Sequence, residues 1–133
     1  MATITRFKEI KAWQKARELV REVYAVCGKG PLSKDYGLKD QLCRAASSAM
    51  TNVAEGFGRR GNREFTRFLD IARGSALEVQ SLLYVALDLT FITVDEFHHL
   101  CEMAGETIAL VTAFASYLRQ YAPPANSELR TQS

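Results

Sequence analysis

Few residues in this chain are of a type that does chemistry, so their spacing decides what each can offer. Arg60, Arg63 and Arg67 recur at intervals of three and four, with Arg59 beside them, which on a helix gathers three guanidinium groups onto one face. They end the run Gly56-Phe57-Gly58-Arg59-Arg60-Gly61 and continue past it, and that run spells G-x-G-x-x-G. The dinucleotide fingerprint of that form requires a preceding strand in a βαβ unit, and a helical pattern precedes it here. What remains is an arginine-bearing loop at a helix start, where backbone N–H groups and the helix dipole favour an anion. Two readings stay open: a surface for nucleic-acid phosphates, or a solvated face on which Glu64 and Asp70 pair with the arginines.

A second polar line, Arg44, Ser48, Thr51 and Glu55, follows helical spacing with Asn52 adjacent. A glutamate near an arginine and hydroxyls could do acid–base work, yet no second carboxylate, histidine or nucleophile–base pair accompanies it. The expectation is a structural hydrogen-bond seam lying against another helix, within the bundle or across subunits, with Arg44 and Glu55 in it. Lys8, Lys11 and Lys15 share a face that Glu18 and Glu22 continue, which reads as solvated ion pairing. His98 and His99 lack triad-like companions. Cys27, Cys43 and Cys101 form no C-x-x-C and read as reduced core thiols. A zinc site wants four close ligands, and His98, Cys101 and Glu102 make a partial set at best, so neither metal nor cofactor is expected.

These side chains need a scaffold, and its scale follows from the composition. A chain of 133 residues, 47% hydrophobic and 24% charged, fits one globular domain. Its longest uncharged apolar stretch, residues 107–118, is 12 residues, short of the roughly 20 that cross a bilayer. No apolar h-region follows the first residues, so the expected compartment is the cytoplasm. Residues 1–73 carry 15 Lys/Arg against 8 Asp/Glu, and residues 74–133 carry 2 against 7. Such asymmetry suits a nucleic-acid surface or attraction between identical subunits.

Apolar periodicity predicts four helices. The first runs from Ile10 to Cys27 along Trp13, Ala16, Val20 and Val23, and is broken by Gly28, Gly30 and Pro31. The second runs from Leu38 to Gly56, with Ala45, Ala46, Ser47, Ser48 and Ala49 small enough for close approach of a neighbour. The third starts near Asn62 as N-cap and carries Phe65, Phe68, Leu69, Ala72, Ala76, Val79 and Leu83. Gly74 inside it suggests a backbone packing closely there. Thr93 and Glu96 form a capping box for the fourth, which runs through Phe97, Leu100, Val111, Ala115 and Leu118 until Pro123-Pro124. Four helices with short loops give an all-α, antiparallel up-down-up-down bundle over residues 1–122, with residues 123–133 as a flexible polar tail. Surplus apolar stripes, Met103, Leu110, Phe114, Tyr117 and Tyr121 on helix four and Leu77, Tyr84 and Phe91 on helix three, suggest an oligomer interface.

Trp13-Gln14-Lys15-Ala16, Tyr36-Gly37-Leu38, Arg44-Ala45-Ala46-Ser47-Ser48, Asn52-Val53-Ala54-Glu55-Gly56 and Ile71-Ala72-Arg73-Gly74-Ser75 with Glu78 together resemble the four-helix-bundle proteins encoded in intervening sequences of bacterial 23S ribosomal RNA genes. The resemblance spans about residues 7–120 and departs at Ala49-Met50, where a β-branched residue and often Pro is common, and at Thr90, where Gly often ends the third helix. It implies a small cytosolic bundle assembling as a ring of five, related to nucleic-acid-binding accessory proteins of diversity-generating retroelements. It marks Arg44, Asn52, Glu55, Arg73 and Glu78 as motif positions without assigning them a role. The expected function is a non-enzymatic, self-associating interaction protein that binds RNA or DNA phosphates without base specificity. The alternative is a small-ligand or enzymatic bundle using Glu55 and Arg44.

Overall fold

The computed structural model describes residues 3–121. Four helices, α1 (Lys11–Cys27), α2 (Tyr36–Phe57), α3 (Asn62–Asp88) and α4 (Val94–Gln120), pack around the bundle in sequence order, with α1 closing onto α4. Short 3-10 turns at Phe7–Glu9 and Pro31–Lys34 lead into α1 and α2. No strand occurs among the described residues. The proposed tail, residues 123–133, lies outside them.

The core has two clusters. One lies toward the α1–α2 loop and holds Leu19, Val23, Leu42, Val79, Leu83 and Leu100. The other lies toward the α2–α3 turn and holds Ile10, Val53, Phe57, Phe65, Leu69 and Val111. Ala45, Ala46 and Ala49 are buried on α2, as their small size required for close helix approach.

Helix ends refine the boundaries. Asp35 caps α2 by accepting from the Leu38 N–H at 3.0 Å, so the helix starts two residues before Leu38. The N-cap of α3 is Gly61, at φ 79°, and not Asn62. Asn62 instead opens the helix, its amide 3.5 Å from the Leu118 carbonyl, tying the start of α3 to the end of α4. The Thr93/Glu96 capping box is present, at 3.0 and 2.9 Å.

The close backbone approach expected at Gly74 is found at Gly56 instead. A Cβ on Gly74 would meet nothing within 4 Å, whereas one on Gly56 would meet Phe68 Cβ at 2.8 Å and Phe65 Cδ1 at 2.9 Å. The close helix crossing is at Gly56.

Helix α3 ends in a Schellman arrangement: Phe91 N–H donates to the Ala86 carbonyl and Thr90 N–H to that of Leu87, both at 2.9 Å. Its turn residue, Thr90, sits at φ 57°, where a β-branched side chain crowds its own backbone. Thr90→Gly should therefore stabilise the fold by about 0.5–1 kcal/mol, read as a higher urea midpoint with an unchanged m-value.

The same cap consumes Phe91, which packs against the core from the position after the turn rather than facing outward. Met103 is core as well, 7% exposed, because it points between α4 and its neighbours. Leu110, Phe114 and Tyr117 pack, partly buried, against the second cluster alongside Ile4 and Trp13. Of the surplus stripes, Leu77, Tyr84 and Tyr121 remain well exposed, at 41%, 58% and 59%.

Candidate functional site

The turn between α2 and α3 is built by Gly56. Without a side chain there, Phe65 and Phe68 from the first turns of α3 close onto the end of α2. Phe68 is nearly buried, and its ring is a platform: the guanidinium carbons of Arg59, from the turn, and Arg67, from α3, each lie 4.8 Å from its centroid. Arg60 and Arg63 are exposed beside them. The four arginines expected to act together are thus brought to one end of the bundle.

The carboxylates divide. Glu64 holds Arg67 through two bonds, Nε to Oε2 at 3.1 Å and Nη2 to Oε1 at 3.3 Å. That hydrogen bonding, aided by the positive charges of Arg67, Arg59 and Arg63, keeps the Glu64 carboxyl below its usual range. Asp70 serves a different arginine, Arg119 of α4, at 3.3 Å. Arg60 and Arg63 make no ion pair with any described carboxylate.

The polar line on α2 splits into two faces. Ser48 Oγ and Ser75 Oγ are 2.8 Å apart across the α2–α3 seam, and Asn52 Nδ2 donates to the Ser48 carbonyl at 2.9 Å and to its Oγ at 3.0 Å. Arg44, Thr51 and Glu55 lie outside that seam and face solvent. Arg44, with an 80% exposed side chain, pairs with Asp40 one turn earlier at 3.1 Å. Within the subunit, then, the seam expected of this line is made by Ser48, Asn52 and Ser75 and does not include Arg44 or Glu55. The reason is the wheel position, which turns 44, 51 and 55 past the contact line with α3. Arg73 and Glu78 are exposed on α3.

A cavity of about 730 Å³ opens at the opposite end, between Tyr24, Cys27, Tyr36, Lys39 and Cys43. Burial, helped by Cys43 beside it, pushes the Cys27 thiol up to about 12, and burial raises Cys43 and Cys101 too. All three are free thiols, held in the neutral form that makes poor nucleophiles. No group of three potential metal ligands occurs among the described residues. His99 Nε2 lies 3.2 Å from Glu22 on α1, and Lys15 pairs with Glu106 at 3.5 Å, so solvated polar contacts lace the α1–α4 face.

Residues 8–113 match the family described as 23S rRNA-intervening sequence protein. The chain belongs to that family. A solved relative by fold is the 1.70 Å crystal structure of a protein with unknown function from the S23 ribosomal protein family from Bacteroides thetaiotaomicron VPI-5482. It aligns with a TM-score of 0.72 and 19% identity over 78% of this chain and 97% of that one. No curated protein matches. Against this 23S rRNA-intervening sequence protein fold, the motif positions acquire physical meaning: Gly56 permits the helix crossing, Asn52 and Ser75 tie the seam beside it, and Glu55 is left to solvent. The aromatic platform under Arg59 and Arg67 was invisible to periodicity, which assigns Phe68 wholly to the core.

Proposed function

We propose that this protein is a non-enzymatic, self-associating interaction protein that binds nucleic-acid phosphates, without base specificity, through Arg59, Arg60, Arg63 and Arg67. The supporting observation is the grouping of these four guanidinium groups at the α2–α3 turn, two ordered on Phe68 and two without a described carboxylate partner. Fixed cations at an accessible end of a bundle neutralise phosphates and release counterions, which is the sequence-independent part of nucleic-acid affinity. Phe68 lies beneath the arginines and Phe57 and Phe65 are buried, so base stacking has no platform here. Four arginines per subunit are too few for tight binding alone. A homo-oligomer, a ring of five on the family resemblance, multiplies them by effective concentration. The cytoplasm, where RNA and DNA are met, is the proposed compartment. An acid–base role for Glu55 with Arg44 has less support, since both are exposed and Arg44 is engaged by Asp40.

The test is a titration of labelled structured RNA and duplex DNA at low and moderate salt. Wild type should bind both comparably and lose on the order of 10³-fold in affinity between about 50 and about 200 mM salt if six or more phosphates are engaged across subunits. Arg60/Arg63/Arg67→Ala should bind weakly at low salt and show a shallower salt slope. Equal binding by both proteins, or none by wild type, refutes the site.

A further inference from the structure

Three guanidinium groups of the cluster are open to solvent on at least one side, but the fork of Arg67 is occupied. Glu64 fills it with two N–H···O bonds, from Nε and Nη2 to its two carboxylate oxygens at 3.1 and 3.3 Å, the pairing by which two non-bridging phosphate oxygens also bind arginine. We propose that Glu64 is an internal competitor for the nucleic-acid phosphates: its carboxylate holds the Arg67 fork in the free protein and surrenders it when a phosphate arrives. The inference rests on the phosphate-binding reading of this surface.

Three features make the exchange workable. Both partners are about half exposed, 57% and 47%, so the pair is cheap to open in water. The guanidinium is held independently of Glu64 by its stack on Phe68, and Phe68 is itself fixed by its close packing at Gly56. Arg67 therefore keeps its place when the carboxylate leaves, and the fork it presents is already formed. The charge balance also singles Glu64 out. Asp70, the next carboxylate along α3, is held by Arg119, whereas Glu64 feels Arg59, Arg63 and Arg67 together. A carboxylate in that position lowers the local charge by one and discriminates against weak anions, since an incoming ligand must outcompete it. A polyanion that engages several subunits can do so.

The experiment compares wild type, Glu64→Gln and Glu78→Gln in the same RNA and DNA titrations, with Arg67→Ala in wild-type and Glu64→Gln backgrounds. Glu78 is exposed on the same helix and controls for net charge. Glu64→Gln should tighten binding about three- to tenfold at low salt and steepen the salt slope by about 0.7–0.9 per engaged subunit, as one more arginine becomes available. The gain should exceed that of Glu78→Gln and disappear in the Arg67→Ala background. Equal gains from Glu64→Gln and Glu78→Gln reduce the effect to net charge and overturn the proposal while the phosphate reading stands. A loss of affinity in Glu64→Gln means the carboxylate orders Arg67 for binding and likewise overturns it. Absence of binding in wild type and Glu64→Gln alike removes the phosphate reading itself, and the competitor role with it.

Discussion

Gly56→Ala should lower the stability of the fold by about 1–3 kcal/mol, the usual cost of forcing an extra carbon into a close-packed site. A Cβ there would sit 2.8 Å from Phe68 Cβ, 2.9 Å from Phe65 Cδ1 and 3.2 Å from the Phe65 carbonyl oxygen. None of these is the free end of a flexible side chain. Phe65 is 1% exposed and makes edge contacts with Phe57 and Phe114, so relief requires α3 to move off α2. The same movement shifts Phe68 and the arginines stacked on it, so nucleic-acid affinity should fall with stability. Gly74→Ala is the matched control. Its Cβ would enter open space, and Ala is favoured over Gly inside a helix by about 0.5–1 kcal/mol, so its melting temperature should rise. Thermal denaturation by circular dichroism reads both, and a Gly56→Ala protein that melts with wild type removes the helix crossing as the reason for a glycine at this position.

The two glycines also show what a sequence carries and what it leaves out. Periodicity located all four helices because each has one wide apolar stripe, and the capping box at Thr93 was local enough to be read directly. Whether a helical glycine faces a neighbour or solvent depends on the angle between helices, which no local pattern encodes. The same holds for the surplus stripe on α4. Met103, Leu110, Phe114 and Tyr117 lie off the main face by the helical wheel, yet the structure packs them into or against the core, with Ile4 and Ile10 in the same cluster as the last three. At the candidate site the arginines were legible from their spacing, because a helix brings residues three and four apart together. Their partners were not. Asp70 and Glu64 both lie near Arg67 in sequence, and only the position of Arg119 on α4 decides that Asp70 turns away. Ser48 joins Ser75 from another helix, a pairing that no reading of α2 alone supplies.

Replacing Leu77 and Tyr84 with Ser should convert the proposed oligomer to smaller species while leaving the subunit folded. The two lie seven residues apart on α3, two turns and about 10 Å along one face, and they are 41% and 58% exposed. Tyr84 rests one edge on Phe97 of α4, with ring centroids 4.8 Å apart, so the ring is held in place with much of its surface unpartnered within the chain. A rigid aromatic beside an exposed leucine is the composition of an interface anchor. Truncating such anchors typically costs about 2 kcal/mol or more each at an assembled surface, roughly a thirtyfold loss in the association constant for every contact broken. Phe114 and Tyr117, which the stripe pattern also nominates, are poorer probes. Phe114 meets Phe65 edge-on at 5.3 Å, so its loss opens the core and confuses disassembly with unfolding. Light scattering coupled to size exclusion, with melting curves on the same samples, separates these outcomes. A heterologous interface must close into a ring or grow, and the ring of five that the family resemblance implies is closed, so the wild type should run as one discrete species rather than a ladder of sizes. A double variant that assembles like wild type moves the interface off this face of α3, and a wild-type chain that stays monomeric at micromolar concentration refutes self-association, leaving four arginines per particle to account for any nucleic-acid binding.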